Sequence, residues 1–144
     1  MKKIITRLFA LFAFIFVLFG LASCASNYST DSMKSGLKGA GYTVEENPTI
    51  QNLDTSKLTG YKSSIYAYKT VNGEEEGILI LVFDSSDNAS KAGNPEGDVA
   101  TEFISLMHNW GKNHAPSTDV SVYGTANNLV WAGASAAKQA AGIK

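Results

Sequence analysis

Few residues in this 144-residue chain stand in patterns that chemistry could use. There is one cysteine, Cys24, preceded by Leu21, Ala22 and Ser23. A lone thiol cannot close a disulfide within the chain or build a cysteine-rich zinc site, but it can carry a covalent modification. The two histidines, His108 and His114, match neither the one-turn i, i+4 pair nor the HExxH metal motif. They read as exposed side chains near a helix end, where His108 suits the negative C-terminal pole. Glu74, Glu75 and Glu76 read as a solvated hairpin end, because three consecutive acids on an extended strand cannot all face one ion. Asp84, Asp87, Glu96 and Asp98 surround a Gly/Pro loop but lack the distal glutamate of a calcium-binding loop. No GxSxG, P-loop or GxGxxG pattern occurs. Trp110, Tyr123 and Trp131 are the aromatic residues to inspect for a binding surface, with core packing as the competing reading. The sequence thus points to no catalytic residue, no metal ligand and no cofactor.

The elements that position these residues fall into two unlike segments. Residues 1–23 hold Lys2, Lys3 and Arg7, no acid, and five of the seven phenylalanines. The rest carries nine basic against thirteen acidic side chains. A mildly acidic domain is repelled by phosphate backbones and anionic headgroups, which argues against nucleic acid as a partner. Residues 1–7 form a positive start, residues 8–19 an unbroken apolar run, and residues 20–23 a small-residue end. An export-signal core spans about 7–15 apolar residues, whereas a membrane-spanning helix needs about 20. The segment therefore reads as a signal peptide. Extending it to spanning length would bury Arg7.

Leu21-Ala22-Ser23-Cys24 resembles a bacterial lipobox: a leucine three before the cysteine, two small residues, then the thiol. The resemblance covers only the leader and its cleavage site. It implies a bacterial lipoprotein, cut between Ser23 and Cys24, with diacylglycerol thioether-linked to Cys24. It also implies that Cys24 becomes the lipidated, palmitate-bearing N-terminus. Each buried methylene contributes about 0.8 kcal/mol, so two or three chains on one residue hold a protein firmly. Lipid is then the contact with the membrane, on the outer side of the cytoplasmic membrane. In a two-membrane envelope, Ala25 in place of aspartate permits sorting to the outer membrane.

Residues 24–32 are polar and aperiodic and predict a flexible tether. Residues 33–144 predict one domain. Asp31 is the expected N-cap of a first helix, with Met33, Leu37 and Ala40 on one face and Gly41 ending it. A strand follows over 42–46. Residues 47–60 read as a loop pinned by Ile50, Leu53 and Leu58. Strands over 64–71 and 78–83 are joined by Asn72-Gly73, the strongest hairpin signal in the chain. The second of these is apolar at every position and should be central. A short helix near 85–91, a break at 93–97 and a helix over 99–110 come next, the last capped by Asp98. A hairpin of 120–123 and 129–131 turns at Asn127-Asn128, and an alanine-rich helix capped by Ser135 closes the chain. The expected class is α+β: a two-layer sandwich with a mostly antiparallel sheet of about five strands and helices mainly on one face.

With a lipobox and no catalytic constellation, the leading expectation is a non-enzymatic, membrane-anchored envelope lipoprotein. Its domain would bind a protein, peptide or wall component. The alternatives are an inhibitor or accessory subunit of a larger envelope enzyme, and a small hydrolase.

Overall fold

The computed structural model describes residues 26–94, 98–115 and 122–144. Residues 1–25, with Ser23 and Cys24 among them, and residues 95–97 and 116–121 lie outside the described residues. Five strands form one antiparallel sheet: β1 (Thr43–Glu46), β2 (Tyr61–Val71), β3 (Glu74–Phe83), β4 (Tyr123–Ala126) and β5 (Leu129–Gly133), in the order β1-β2-β3-β5-β4. Among the described residues four α-helices join them: α1 (Thr30–Gly39), α2 (Ser86–Ala92), α3 (Asp98–His114) and α4 (Ser135–Ala140), with a 3-10 turn at Thr55–Lys57. The α+β class and the five-stranded antiparallel sheet are as the sequence predicts.

The placement of the helices differs from the expected two layers. Ile78, Ile80 and Val82 of β3 pack with Met33 and Leu37 of α1 and with Ala137 of α4. The alternate residues Leu79, Leu81 and Phe83 pack with Ala89 of α2 and with Phe103 and Met107 of α3. Helices therefore cover both faces, in three layers. The cause is β3 itself, which is apolar at both parities and buried from Glu76 to Phe83. Leaving either row in water would forfeit about 1.5–3 kcal/mol for each large side chain.

Local signals explain the remaining boundaries. Asn72 (φ 52°) and Gly73 (φ 84°) make the two-residue turn closed by the Val71–Glu74 pair. The β4–β5 turn falls at Asn127-Asn128 as expected, with Ala126 opposite Leu129. Counting back from that pair places β4 at Tyr123–Ala126 rather than 120–123. Helix α3 runs past Gly111 to His114 instead of stopping at Trp110. Gly111 is there for close packing, since a Cβ on it would stand 2.0 Å from the Val122 carbonyl oxygen. In α4, Ser135 is the first helical residue, and the cap position is Ala134, which makes no side-chain capping bond.

Helix α1 also starts earlier than predicted. Its N-cap is Ser29, whose Oγ accepts from the Ser32 amide, and Asp31 sits in the first turn. The residues before it, expected to be free tether, are docked. The Tyr28 amide donates to Asn128 Oδ1 at 2.8 Å, and Asn127 Nδ2 donates to the Ser26 carbonyl at 2.7 Å. The Lys144 amide donates to the Tyr28 hydroxyl at 3.2 Å. These bonds tie the start of the chain to the β4–β5 turn and to the C-terminus.

Two glycines in α1 separate propensity from packing. In a helix, Gly→Ala ordinarily gains up to about 1 kcal/mol. Gly39→Ala should do so, because nothing lies within 4 Å of the new methyl. Gly36→Ala would set its Cβ 2.2 Å from the Ala140 carbonyl oxygen, where α1 meets α4. We expect that variant to lose about 1–3 kcal/mol. Urea unfolding midpoints check this: shifts of opposite sign are expected, and two stabilising shifts would contradict the close approach of α1 to α4.

Candidate functional site

The outward face of β2 and β3 under α3 carries an open groove. Tyr66 and Tyr68 of β2 share that face with Leu79 and Glu75 of β3. Above them, Leu106, Asn109, Trp110, Asn113 and His114 follow i, i+3, i+4, i+7, i+8 spacing and form one stripe of α3. The third wall is the loop 48–52, from Pro48 to Asn52. The loop is held at its start by Asn47, whose amide donates to the Ser64 carbonyl and whose Oδ1 accepts from the Ser64 amide. Ile50, Leu53 and Leu58 pack onto the core on the α3 side, as the sequence predicts. The groove has a volume of about 580 Å³, within the usual size class of small-molecule sites.

An aromatic cluster sets the shape of one end. The His114 ring stacks on Trp110 at 3.7 Å and 8°. Tyr66 meets both rings edge-on, at 5.3 Å from Trp110 and 5.9 Å from His114. On its other side Tyr66 stacks with Tyr68 at 4.9 Å. Polar bonds fix these rings. His114 Nδ1 lies 2.8 Å from the Trp110 carbonyl oxygen, which can only accept, so Nδ1 carries the proton. Nε2 lies 3.3 Å from Glu75 Oε1 and can donate to it only as imidazolium. The Tyr66 hydroxyl donates to the same Glu75 oxygen at 2.5 Å. Burial first, and then the Glu75 hydrogen bond, hold the Tyr66 phenol well above its ordinary range.

The polar lining of the groove is mostly amide. None of its twelve described lining residues is Asp, Glu, Lys or Arg. Four are amides: Gln51, Asn52, Asn109 and Asn113. All four are exposed and make no side-chain hydrogen bond among the described residues. The arrangement offers flat apolar surface beside free donors and acceptors, which suits binding of an uncharged polar molecule. Its single imidazole is held by the Trp110 carbonyl at Nδ1 and faces Glu75 at Nε2.

The structure distributes the sequence candidates as follows. Trp110 lines the groove, but Trp131 is buried in the opposite core with Lys138 Nζ 5.0 Å over its ring. Tyr123 is half-buried and donates to the Gly93 carbonyl. His108 is exposed on α3, whereas His114, expected in a following loop, occupies the last helical turn and is partly covered. The expected solvated acids divide along the strand. Glu74 and Glu75 are exposed, but Glu76 shares the row of Ile78 and Ile80 and is buried. It accepts from the Tyr42 hydroxyl and lies 3.6 Å from Lys69 Nζ, so its charge is paired inside the fold. Asp84 accepts from Asn88, and Asp87 pairs with Lys91. The side chains of Glu96 and Asp98 lie outside the described residues. Among the described residues no group of three or more His, Cys, Asp and Glu could hold a metal ion. Sequence reasoning missed Tyr66, His114 and the four amides. The available signal was the apolar stripe of α3 turning to asparagine at Asn109 and Asn113 on the same face.

Tyr66 gives a pH prediction. A phenol whose folded value is raised above the unfolded value near 10 favours the folded state below that pH. That contribution disappears as pH rises through the folded value. An absorbance titration at alkaline pH should show a phenol ionising later than the also raised Tyr68 and Tyr123, and that last phase should vanish in Tyr66→Phe. A difference titration centred at the ordinary phenol value would contradict the Glu75 contact.

No family model, no curated protein and no solved structure matches this chain.

Proposed function

We propose that the protein is a non-enzymatic envelope lipoprotein, anchored by lipid on Cys24, whose α+β domain binds a ligand in the Trp110 groove. The anchor rests on the leader and on Leu21-Ala22-Ser23-Cys24. The observation that carries the binding role is the groove itself, with free amides beside an aromatic wall and no Asp, Glu, Lys or Arg among its described lining residues.

Docking of the chain start gives this reading a geometry. Only Ala25 separates Cys24 from Ser26, the first docked residue. Two residues reach about 7 Å, so the β4–β5 turn is the end held at the lipid surface. The His114 end of the groove lies by Glu75, and Phe83, beside that turn, is eight positions further along β3. At strand rise this is about 26 Å, which turns the groove away from the membrane. No helix among the described residues is long and apolar enough to cross a membrane.

Metabolic labelling with palmitate followed by membrane fractionation tests the anchor. In cells producing the full chain, Cys24→Ala should abolish the label and leave the protein uncleaved at the Ser23–Cys24 bond. Label retained in Cys24→Ala, or a native product whose mass includes the leader and an unmodified thiol, would overturn the reading.

A further inference from the structure

We infer that the groove between the loop 48–52 and α3 is a site for an uncharged saccharide, recognised by the aromatic wall at Trp110 and by side-chain amides. The inference rests on the groove being the binding site and adds the class of ligand. It does not depend on the lipid.

Three features of the groove select this chemistry. The first is charge. The chain is 17% Asp, Glu, Lys and Arg, yet none of these lines the cavity. An ionised ligand would lose water there without gaining a counter-charge, which favours a neutral molecule. The second is the type of polar group. Each amide of Gln51, Asn52, Asn109 and Asn113 presents both a donor pair and an acceptor. Hydroxyl and acetamido groups also donate and accept, so they can be satisfied from either end of an amide. A purely apolar ligand would leave those amides to be desolvated without partners. The third is the aromatic surface. Trp110 is braced by His114 and Tyr66, so its ring is held in place before a ligand arrives. The carbon face of a sugar ring can lie on such a surface while its edge hydroxyls meet the amides.

An extended peptide is the competing neutral ligand, and the sheet argues against it. Peptides commonly bind by adding a strand to an exposed sheet edge. Here the floor is Tyr66 and Leu79, opposite each other on β2 and β3, and both strands are already flanked on each side. The groove therefore offers side chains, not an unpaired strand edge.

The test uses the purified full-length mature protein in detergent micelles and isothermal titration with three neutral probes. These are tri-N-acetylchitotriose, cellotriose and an acetylated, amidated trialanine. The expected result is binding of one or both saccharides at about millimolar affinity or tighter, and none of the blocked peptide. Trp110→Ala should weaken saccharide binding on the order of tenfold or more. Asn113→Ala changes an exposed side chain and should fold normally, and it should weaken binding by about threefold or more. Far-UV circular dichroism checks the fold of both variants.

Preferential binding of the blocked peptide, lost in Trp110→Ala, would overturn the saccharide inference while leaving the groove as a binding site. Saccharide binding unchanged in folded Trp110→Ala and Asn113→Ala would overturn the assignment to this groove. Absence of binding by all three probes would overturn the saccharide inference. In that case, unchanged palmitate labelling at Cys24 would show that the anchor stands independently of it.

Discussion

The structure depends on one constraint: β3 has no polar face to show to water from Ile78 to Phe83. Its even-numbered row requires α1 and α4, and its odd-numbered row requires α2 and α3. Every other strand takes its place relative to it, with β2 and β5 as direct neighbours and β1 and β4 at the edges. The two rows also explain why a charge can sit inside the sheet layer. Glu76 continues the even row and is buried, and Tyr42 and Lys69 from neighbouring segments answer its charge. Lys69 extends the same network, its Nζ lying 4.2 Å over the Tyr42 ring.

The groove forms where that cover changes character. Through Phe103 and Met107, α3 is fully packed against β3 and β5. One turn later the same helical face carries Asn109, Trp110, Asn113 and His114, and the sheet below presents Tyr66 instead of aliphatic residues. Side chains of this kind do not close tightly over one another, and the loop 48–52 supplies a separate wall rather than a lid of core residues. The rigidity of the site comes from the bonds behind it. Glu75 holds Tyr66 and lies against His114, and Asn47 fixes the loop to β2. A groove held this way keeps its shape without ligand, which lowers the ordering cost of binding.

Much of the fold is legible in the sequence because its strongest signals are local. ILILVF in a 3.3 Å-rise strand can only be central, Asn72-Gly73 can only turn tightly, and Asn127-Asn128 sets the second hairpin. The placement of helices on both faces follows from the same ILILVF run, but alternation elsewhere obscures it, since both rows of β2 contain apolar residues. Boundaries fail where tertiary contact overrides a local rule. The helix expected to end at Trp110 continues through Gly111, which packs against Val122, and residues 26–29 read as free chain and instead bond to Asn127 and Asn128. The site is the least legible part. Trp110 could be named from its type, but Tyr66, His114, Gln51 and Asn52 come from three elements whose meeting depends on the sheet order. Hydrophobic periodicity carries no information about which amides will face one another across a groove.

Residue-resolved amide hydrogen exchange on the full-length protein tests the central, buried place of β3 most directly. The account predicts that amides of Ile78 to Phe83, which bond alternately to β2 and β5, exchange only through global unfolding. It predicts that those of the loop 48–52 exchange through local opening. Exchange of the Ile78–Phe83 amides as fast as those of the edge strand β1 would contradict the central place of β3, and with it the platform on which the groove is built.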